Sequence, residues 1–206
     1  MTLKLDGLTG LPTGLEDELK RQVVREEGVS LALVDVDRFT EINEGGGRDA
    51  GDRVLQVLAA MLGDAFPNQA YRVGGDEFGV VMPGVALEQA FLRLEAFRAA
   101  VQAAADRFEL PNGPAVTVTA GVVHCPRDAK DATGLLRKAD SAIMAAKEGG
   151  RNQVALPLNE EMVMKSCYYP ASSIRRLKAL AEKRNRKESV LLREALDDLL
   201  RKYDQP

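Results

Sequence analysis

The 206-residue sequence has two cysteines, one histidine, no long apolar run and no low-complexity stretch. Cys125 and Cys167 have neither metal-ligand spacing nor a disulfide-framework pattern, which argues against a thiolate metal centre and leaves two reduced thiols. His124 follows a predicted strand and is given no catalytic role. No leader peptide opens the sequence, and no apolar run approaches the length of a membrane span. The expectation is a cytoplasmic protein with no membrane partner. Composition predicts no disordered segment either, since 45% of residues are hydrophobic, enough for a core in one medium domain plus a small one.

What is present is distributed unevenly. The formal net charge is -3, yet from Ala171 onward ten Lys/Arg stand against six Asp/Glu, a local excess compatible with a polyanionic partner. The most informative stretch is Tyr71 to Val81, where two short apolar strands flank Gly74 and Gly75 and then Asp76 and Glu77. The glycines can take the positive φ angles of a tight hairpin. Adjacent carboxylates at its tip need a counter-ion and suit a hard cation such as Mg²⁺, which takes one or two protein carboxylates and completes its octahedron with water and phosphate oxygens. Taken alone, Gly-Gly-Asp-Glu reads better as a solvated turn. A second observation tilts the balance: Ser30 to Val36 reads as a buried strand that carries Asp35 and Asp37 at its end. A carboxylate there is costly unless paired or metal-bound, so Asp35 is the natural second ligand facing Asp76.

Helical patterns fill the intervals. Leu15, Leu19 and Val23 form an apolar stripe after the turn Asp6-Gly-Leu-Thr-Gly-Leu-Pro, in a helix expected to end at Gly28. Val54, Leu55, Leu58, Met61 and Leu62 mark a second helix, Leu87 to Ala105 a third, and Leu135 to Lys147 a fourth, with a strand over Ala115 to Val123.

With Phe78, the hairpin reads Gly-Gly-Asp-Glu-Phe and resembles the signature of the GGDEF family of diguanylate cyclases. The resemblance extends over roughly residues 3 to 156. It includes the opening Asp6-Gly-Leu-Thr, the segment from Phe39 through Asn43 to Asp52, and the closing Ala139-Asp140, Ala146-Lys147 and Gly150-Arg151-Asn152. It implies an α/β (α+β) nucleotidyl-cyclase-like sandwich, a mainly antiparallel sheet with helices against it. It implies Mg²⁺, with Mn²⁺ as the alternative, held at a sheet edge by Asp35, the backbone carbonyl of Val36, Asp76 and Glu77. Gly74, Gly75, Asp76 and Glu77 would form the catalytic turn, Glu77 serving as proton acceptor or second ligand. Phe39, Asn43, Asp52, Lys147 and Arg151 would bind substrate. Asn43 and Asp52 would read guanine, because a carboxylate accepts from N1–H and the exocyclic amine, a donor pair adenine lacks. Lys147 and Arg151, one helical turn apart, would reach the triphosphate. The implied substrate is GTP and the product cyclic di-GMP. One GTP per domain then requires a homodimer.

Departures from the family pattern stand at Thr13, Gly14, Thr40, Arg48 and Met144. Ala65 and Asn68 replace the Arg-x-x-Asp pair by which many members bind product, so product binding is not expected there.

The tail reads separately, with a cyclase-like domain over 1–156, a linker over 157–161 and a second domain over 162–206. Met162 to Tyr169 is strand-like and Pro170 opens a helix carrying Ile174, Leu177, Leu180 and Ala181. After Asn185 and Arg186, a second helix carries Leu192, Ala195, Leu196, Leu199 and Tyr203. One strand and two short helices cannot close a core alone, but two copies can. The pattern resembles ribbon-helix-helix DNA-binding proteins. That resemblance implies dimerisation, base reading by Met164, Ser166 and Tyr168, and a phosphate held near Lys187 and Ser189. Three functions therefore compete: a cyclase assembled and tethered to double-stranded DNA by its tail, a DNA-binding regulator whose first domain senses GTP or cyclic di-GMP, and a cyclase with a protein-binding or purely dimerising tail.

Overall fold

The structure is a computed structural model and describes residues 4–25, 27–110, 115–157, 167–184 and 186–203. The chain divides into two compact units, Met1–Lys147 with Arg151–Asn159, and Glu148–Gly150 with Glu160–Pro206.

The first unit is built on β1 (Val29–Val36), whose eight residues are all buried. Alternation explains this: Ala32, Val34 and Val36 enter one apolar cluster, and Val29, Leu31 and Leu33 enter another on the opposite face. Strands β2 (Ala70–Gly74), β3 (Glu77–Pro83), β4 (Val118–Cys125) and β5 (Val154–Ala155) complete a five-stranded sheet in the order β2-β3-β1-β4-β5. All pairings are antiparallel except β4 with β5. Helices α2 (Phe39–Ala65) and α3 (Leu87–Ala103) cover the first face, with Leu58, Leu62, Leu94 and Phe97 inward. Helices α1 (Leu15–Val23) and α4 (Ala132–Gly149) cover the second through Leu15, Leu19, Leu135, Ala139 and Ile143.

Several boundaries differ from the sequence expectation. Helix α1 stops at Val23, and Gly28 (φ 71°) instead turns the chain into β1. The third helix is shorter than expected and passes into a 3₁₀ turn over Ala105–Phe108, which buries Phe108. The expected strand over 115–123 forms later, as β4, and takes His124 into it. There Ser30 Oγ lies 3.0 Å from His124 Nδ1 and donates to the Val85 carbonyl at 2.7 Å.

Gly121 permits the tightest helix–sheet contact. A Cβ there would overlap the Ala139 carbonyl oxygen and stand 3.1 Å from the Ala142 methyl. Backbone cannot yield as a side-chain tip does, so Gly121→Ala is expected to destabilise the domain by about 1–3 kcal/mol, read as a lowered denaturant midpoint with unchanged slope.

The second unit contains α5 (Ala171–Arg184) and α6 (Glu188–Tyr203). The Arg186 N–H caps the Ala181 carbonyl at 3.0 Å, and the Arg186 guanidinium pairs with Glu194 at 2.7 Å. Ile174, Leu180, Leu192, Leu196, Leu199, Leu200 and Tyr203 are exposed. Residues 162–166 of the expected tail strand, Met164 and Ser166 among them, lie outside the described residues. Cys167, Tyr168 and Tyr169 are exposed and belong to no regular element, so the expected strand is not observed over these three residues. Among the described residues, no helix is long and apolar enough to cross a membrane.

Candidate active site at the end of the central strand

Asp35 does not lie at a sheet edge, as expected, but on the central strand. It stands opposite Glu77 of β3 on one side and Thr119 of β4 on the other. Cross-strand partners project to the same face, so Asp35 and Glu77 share the α4 side of the sheet. The β2–β3 hairpin closes through Gly75 and Asp76, with Gly75 at φ 54°, and the Val36 N–H donates to the Asp76 carbonyl at 3.2 Å. The hairpin tip is thereby fastened to the end of β1. This places Asp35, Val36, Asp76 and Glu77 together, with Gly74 and Gly75 forming the exposed turn.

Arg72 holds this hairpin in place. It is buried (7% exposed), and its guanidinium donates to the backbone carbonyls of Glu77 (2.8 Å), Gly74 (3.5 Å) and Gly75 while lying 4.6 Å over the Phe78 ring. The Asp6 carboxylate stands 4.0 Å from Arg72 Nε and accepts from the Thr9 N–H and hydroxyl at 2.9 and 2.6 Å. Those hydrogen bonds, aided by Arg72, hold Asp6 below the usual carboxylate range. The opening Asp-x-Leu-Thr turn thus buttresses the acidic hairpin. Sequence reasoning missed Arg72, although it lies inside the most informative stretch, because its partners are carbonyls that no side-chain pattern reveals.

The two acids at the end of β1 have separate fates. Asp37 accepts from Thr117 Oγ1 (2.7 Å), Thr119 Oγ1 (2.6 Å) and the Asn152 N–H (2.9 Å), which uses its carboxylate in tying β1 to the turn after α4. Asp35 is 3% exposed and meets Lys147 Nζ at 2.7 Å. Burial pushes its carboxyl up to about 6 against the opposing pull of Lys147, with Asp76 and Glu77 adding to the rise. Glu77 is also raised, by burial first and then by Asp140 and Asp76. Asp140, on α4, is itself raised by burial.

Lys147 and Arg151 do not share a helical face. Helix α4 ends at Gly149, Gly150 takes φ 131°, and Arg151 follows in the left-handed region at φ 64°, its N–H capping the Ala146 carbonyl at 3.1 Å. Arg151 is exposed at that turn. On the other side of β1, α2 breaks at Gly47 (φ 74°, ψ 173°). Gly51 then passes against Asn43, where a Cβ would overlap Asn43 Oδ1 and stand 3.1 Å from the Phe39 ring. The two helical segments therefore bring Phe39 and Asn43 beside the turn carrying the exposed Asp52. Thr40 and Arg48 are exposed nearby on the same element, and Met144 is exposed on α4.

No group of three or more His, Cys, Asp or Glu side chains among the described residues forms a ready metal cage. The donor set still fits a hard cation that brings its own phosphate and water ligands: a buried carboxylate beside two more acids, with a single ammonium against it. A cation must displace any proton on Asp35. Below about pH 6 divalent affinity is therefore expected to fall as Asp35 takes up a proton, approaching tenfold per pH unit, and to level off above it. Mn²⁺ titrations between pH 5 and pH 8 would measure this.

Acids at the end of a central strand, a glycine-turned acidic hairpin and a helix-borne lysine define a domain suited to a cation with phosphate ligands. Residues 3–153 match the family described as Diguanylate cyclase, GGDEF domain, and the chain belongs to that family. An uncharacterized membrane protein of Staphylococcus aureus (strain USA300) is 33% identical over 162 residues, which is 73% of this chain and 45% of that protein. The chain thus spans less than half the length of the curated relative. The GGDEF domain of DgcB from Caulobacter crescentus, in complex with c-di-GMP, superposes with a TM-score of 0.69 at 30% identity, covering 76% of this chain and 96% of that one. The GGDEF domain of PA1120 (YfiN or TpbB) from Pseudomonas aeruginosa gives 0.68 at 29%, covering 74% and 99%.

Proposed function

We propose that the chain is a diguanylate cyclase that condenses two GTP into cyclic di-GMP and two diphosphates. The observation that carries this reading is the meeting of Asp35, Asp76 and Glu77 at one end of the sheet, with Lys147 against Asp35. Asp35, the Val36 carbonyl, Asp76 and Glu77 would hold Mg²⁺ or Mn²⁺. When bound, the cation supplies Lewis-acid polarisation of the α-phosphate and charge neutralisation at the transferring phosphoryl group. Asn43 and Asp52 orient the guanine, Phe39 packs beside them, and Lys147 and Arg151 take the triphosphate. The 3′-oxygen of one GTP forms a bond to the α-phosphorus of the other, the bond to the bridging oxygen breaks, and diphosphate leaves. Glu77, whose carboxyl is raised by burial and neighbouring acids, is suited to accept the 3′-hydroxyl proton. A second transfer closes the ring.

Two half-sites must face each other, which assigns dimerisation to the second unit. Among the described residues of α5 and α6, Ala181 alone among hydrophobics is buried, so the hairpin gains a core only by pairing. A ribbon-helix-helix dimer satisfies that need, and the local basic excess favours DNA as its ligand. In this reading Met164, Ser166 and Tyr168 face the bases, and the start of α6 near Lys187 and Ser189 takes a phosphate. Glu188, in the first turn of α6, opposes a phosphate there.

The purified chain, given GTP and Mg²⁺, is expected to form cyclic di-GMP and to reject ATP, and Asp52→Ala should relax that preference. A chain that binds GTP yet makes no product, with or without DNA, would instead be a nucleotide-sensing regulator. Salt-insensitive or undetectable DNA binding would leave the tail a dimerising clamp.

A further inference from the structure

We propose that Lys147 is the resident counter-ion of Asp35, that it competes with a divalent cation for that carboxylate, and that a nucleotide phosphate relieves the competition by drawing it away. The inference rests on the cation-site reading above and extends it to the coupling between the two ligands. Asp35 cannot shed its charge into water, because it is 3% exposed and fixed on both sides by antiparallel partners. Asp76 and Glu77 add negative charge, and the ammonium of Lys147 sits 2.7 Å from Asp35 Oδ2. A cation that took Asp35 as a ligand would compete with that ammonium.

The helix delivering Lys147 is immobile where it counts. Ala139, Ala142, Ile143 and Ala146 are buried, and the Ala139 carbonyl abuts Gly121. The side chain itself is about one-third exposed and hangs on a flexible four-carbon stem, so it can swing without moving α4. A triphosphate offers the ammonium a stronger anion, and its departure frees Asp35. Linkage makes the effect reciprocal: nucleotide tightens cation binding, and cation tightens nucleotide binding.

The test is calorimetric titration of Mn²⁺ into the 206-residue chain, with and without a non-hydrolysable GTP analogue. Without nucleotide, Lys147→Met is expected to bind Mn²⁺ roughly tenfold more tightly than the wild type, within the range usual for coupled sites. Arg151→Gln removes the same charge from a residue in the neighbouring turn and should shift the affinity far less. The analogue should tighten Mn²⁺ binding to the wild type by a similar factor and to Lys147→Met much less. Lys147→Gln serves if the methionine variant fails to fold. The proposal is overturned if either Lys147 variant leaves nucleotide-free Mn²⁺ affinity unchanged, or if Arg151→Gln shifts it as much. If the analogue still promotes Mn²⁺ binding in that case, the cation site stands and only the counter-ion role falls. If Mn²⁺ binds in no arm, both fall.

Discussion

Asp35→Asn is expected to lower cyclic di-GMP formation by about 10²–10³-fold, the cost typical of removing one electrostatic contributor from a preorganised site. The amide keeps the shape of the carboxylate but loses the charge that binds a cation. The domain should nevertheless melt no lower than the wild type. In the native protein burial already disfavours the Asp35 charge, and the nearby acids add to the strain, so a neutral side chain relieves it. Lys147 loses its partner but retains access to water. Product formation and thermal unfolding measured on one preparation would separate these effects. A large fall in melting temperature accompanying the loss of activity would mean that Asp35 serves the fold rather than the chemistry.

The second large effect belongs to Arg72. Removing its buried guanidinium leaves the carbonyls of Gly75 and Glu77 without their donor and strips the cation from the Phe78 ring. Arg72→Ala should therefore cost about 3 kcal/mol, since hydrogen bonds to charged groups contribute roughly 1.5–3 kcal/mol each and do not add fully. For a domain of this size that corresponds to a melting-temperature drop of roughly 10 °C. Activity should fall as well, even in the fraction that remains folded, because the tip carrying Asp76 is no longer pinned. Arg72→Lys keeps the charge but not the fork, so it should recover part of the stability and little of the activity. Equal recovery of both by lysine would show that the guanidinium geometry is unimportant.

The acids of the site were legible in the sequence because each defies its surroundings: Asp35 ends a run of core residues, and Asp76 and Glu77 crowd a glycine turn. Periodicity marked the helices and the core strands, whereas the mainly antiparallel sheet with helices against it was what the family resemblance implied. What was not legible depends on the backbone. Asp35 and Asp37 look alike in sequence, and only the positions of Thr117, Thr119 and the Asn152 N–H separate the structural anchor from the acid proposed as a ligand. The i, i+4 spacing of Lys147 and Arg151 suggested one helical face, but Gly150 turns the chain between them. Central placement of β1 likewise depends on long-range pairing that no local pattern fixes.

The spacing of Asp35 and Asp37 has a consequence for how such a domain can vary. One strand terminus carries the carboxylate that pairs with Lys147 and, two residues later, the anchor for the turn bearing Arg151. Side chains alternate between faces, so inserting a single residue just ahead of Asp35 would turn both acids toward the α2 and α3 side at once. Loops elsewhere can lengthen at little energetic cost. Natural length variation in these domains should therefore avoid this short segment, and grafts that exchange one catalytic domain for another should keep β1 and its last two acids on a single uninterrupted piece.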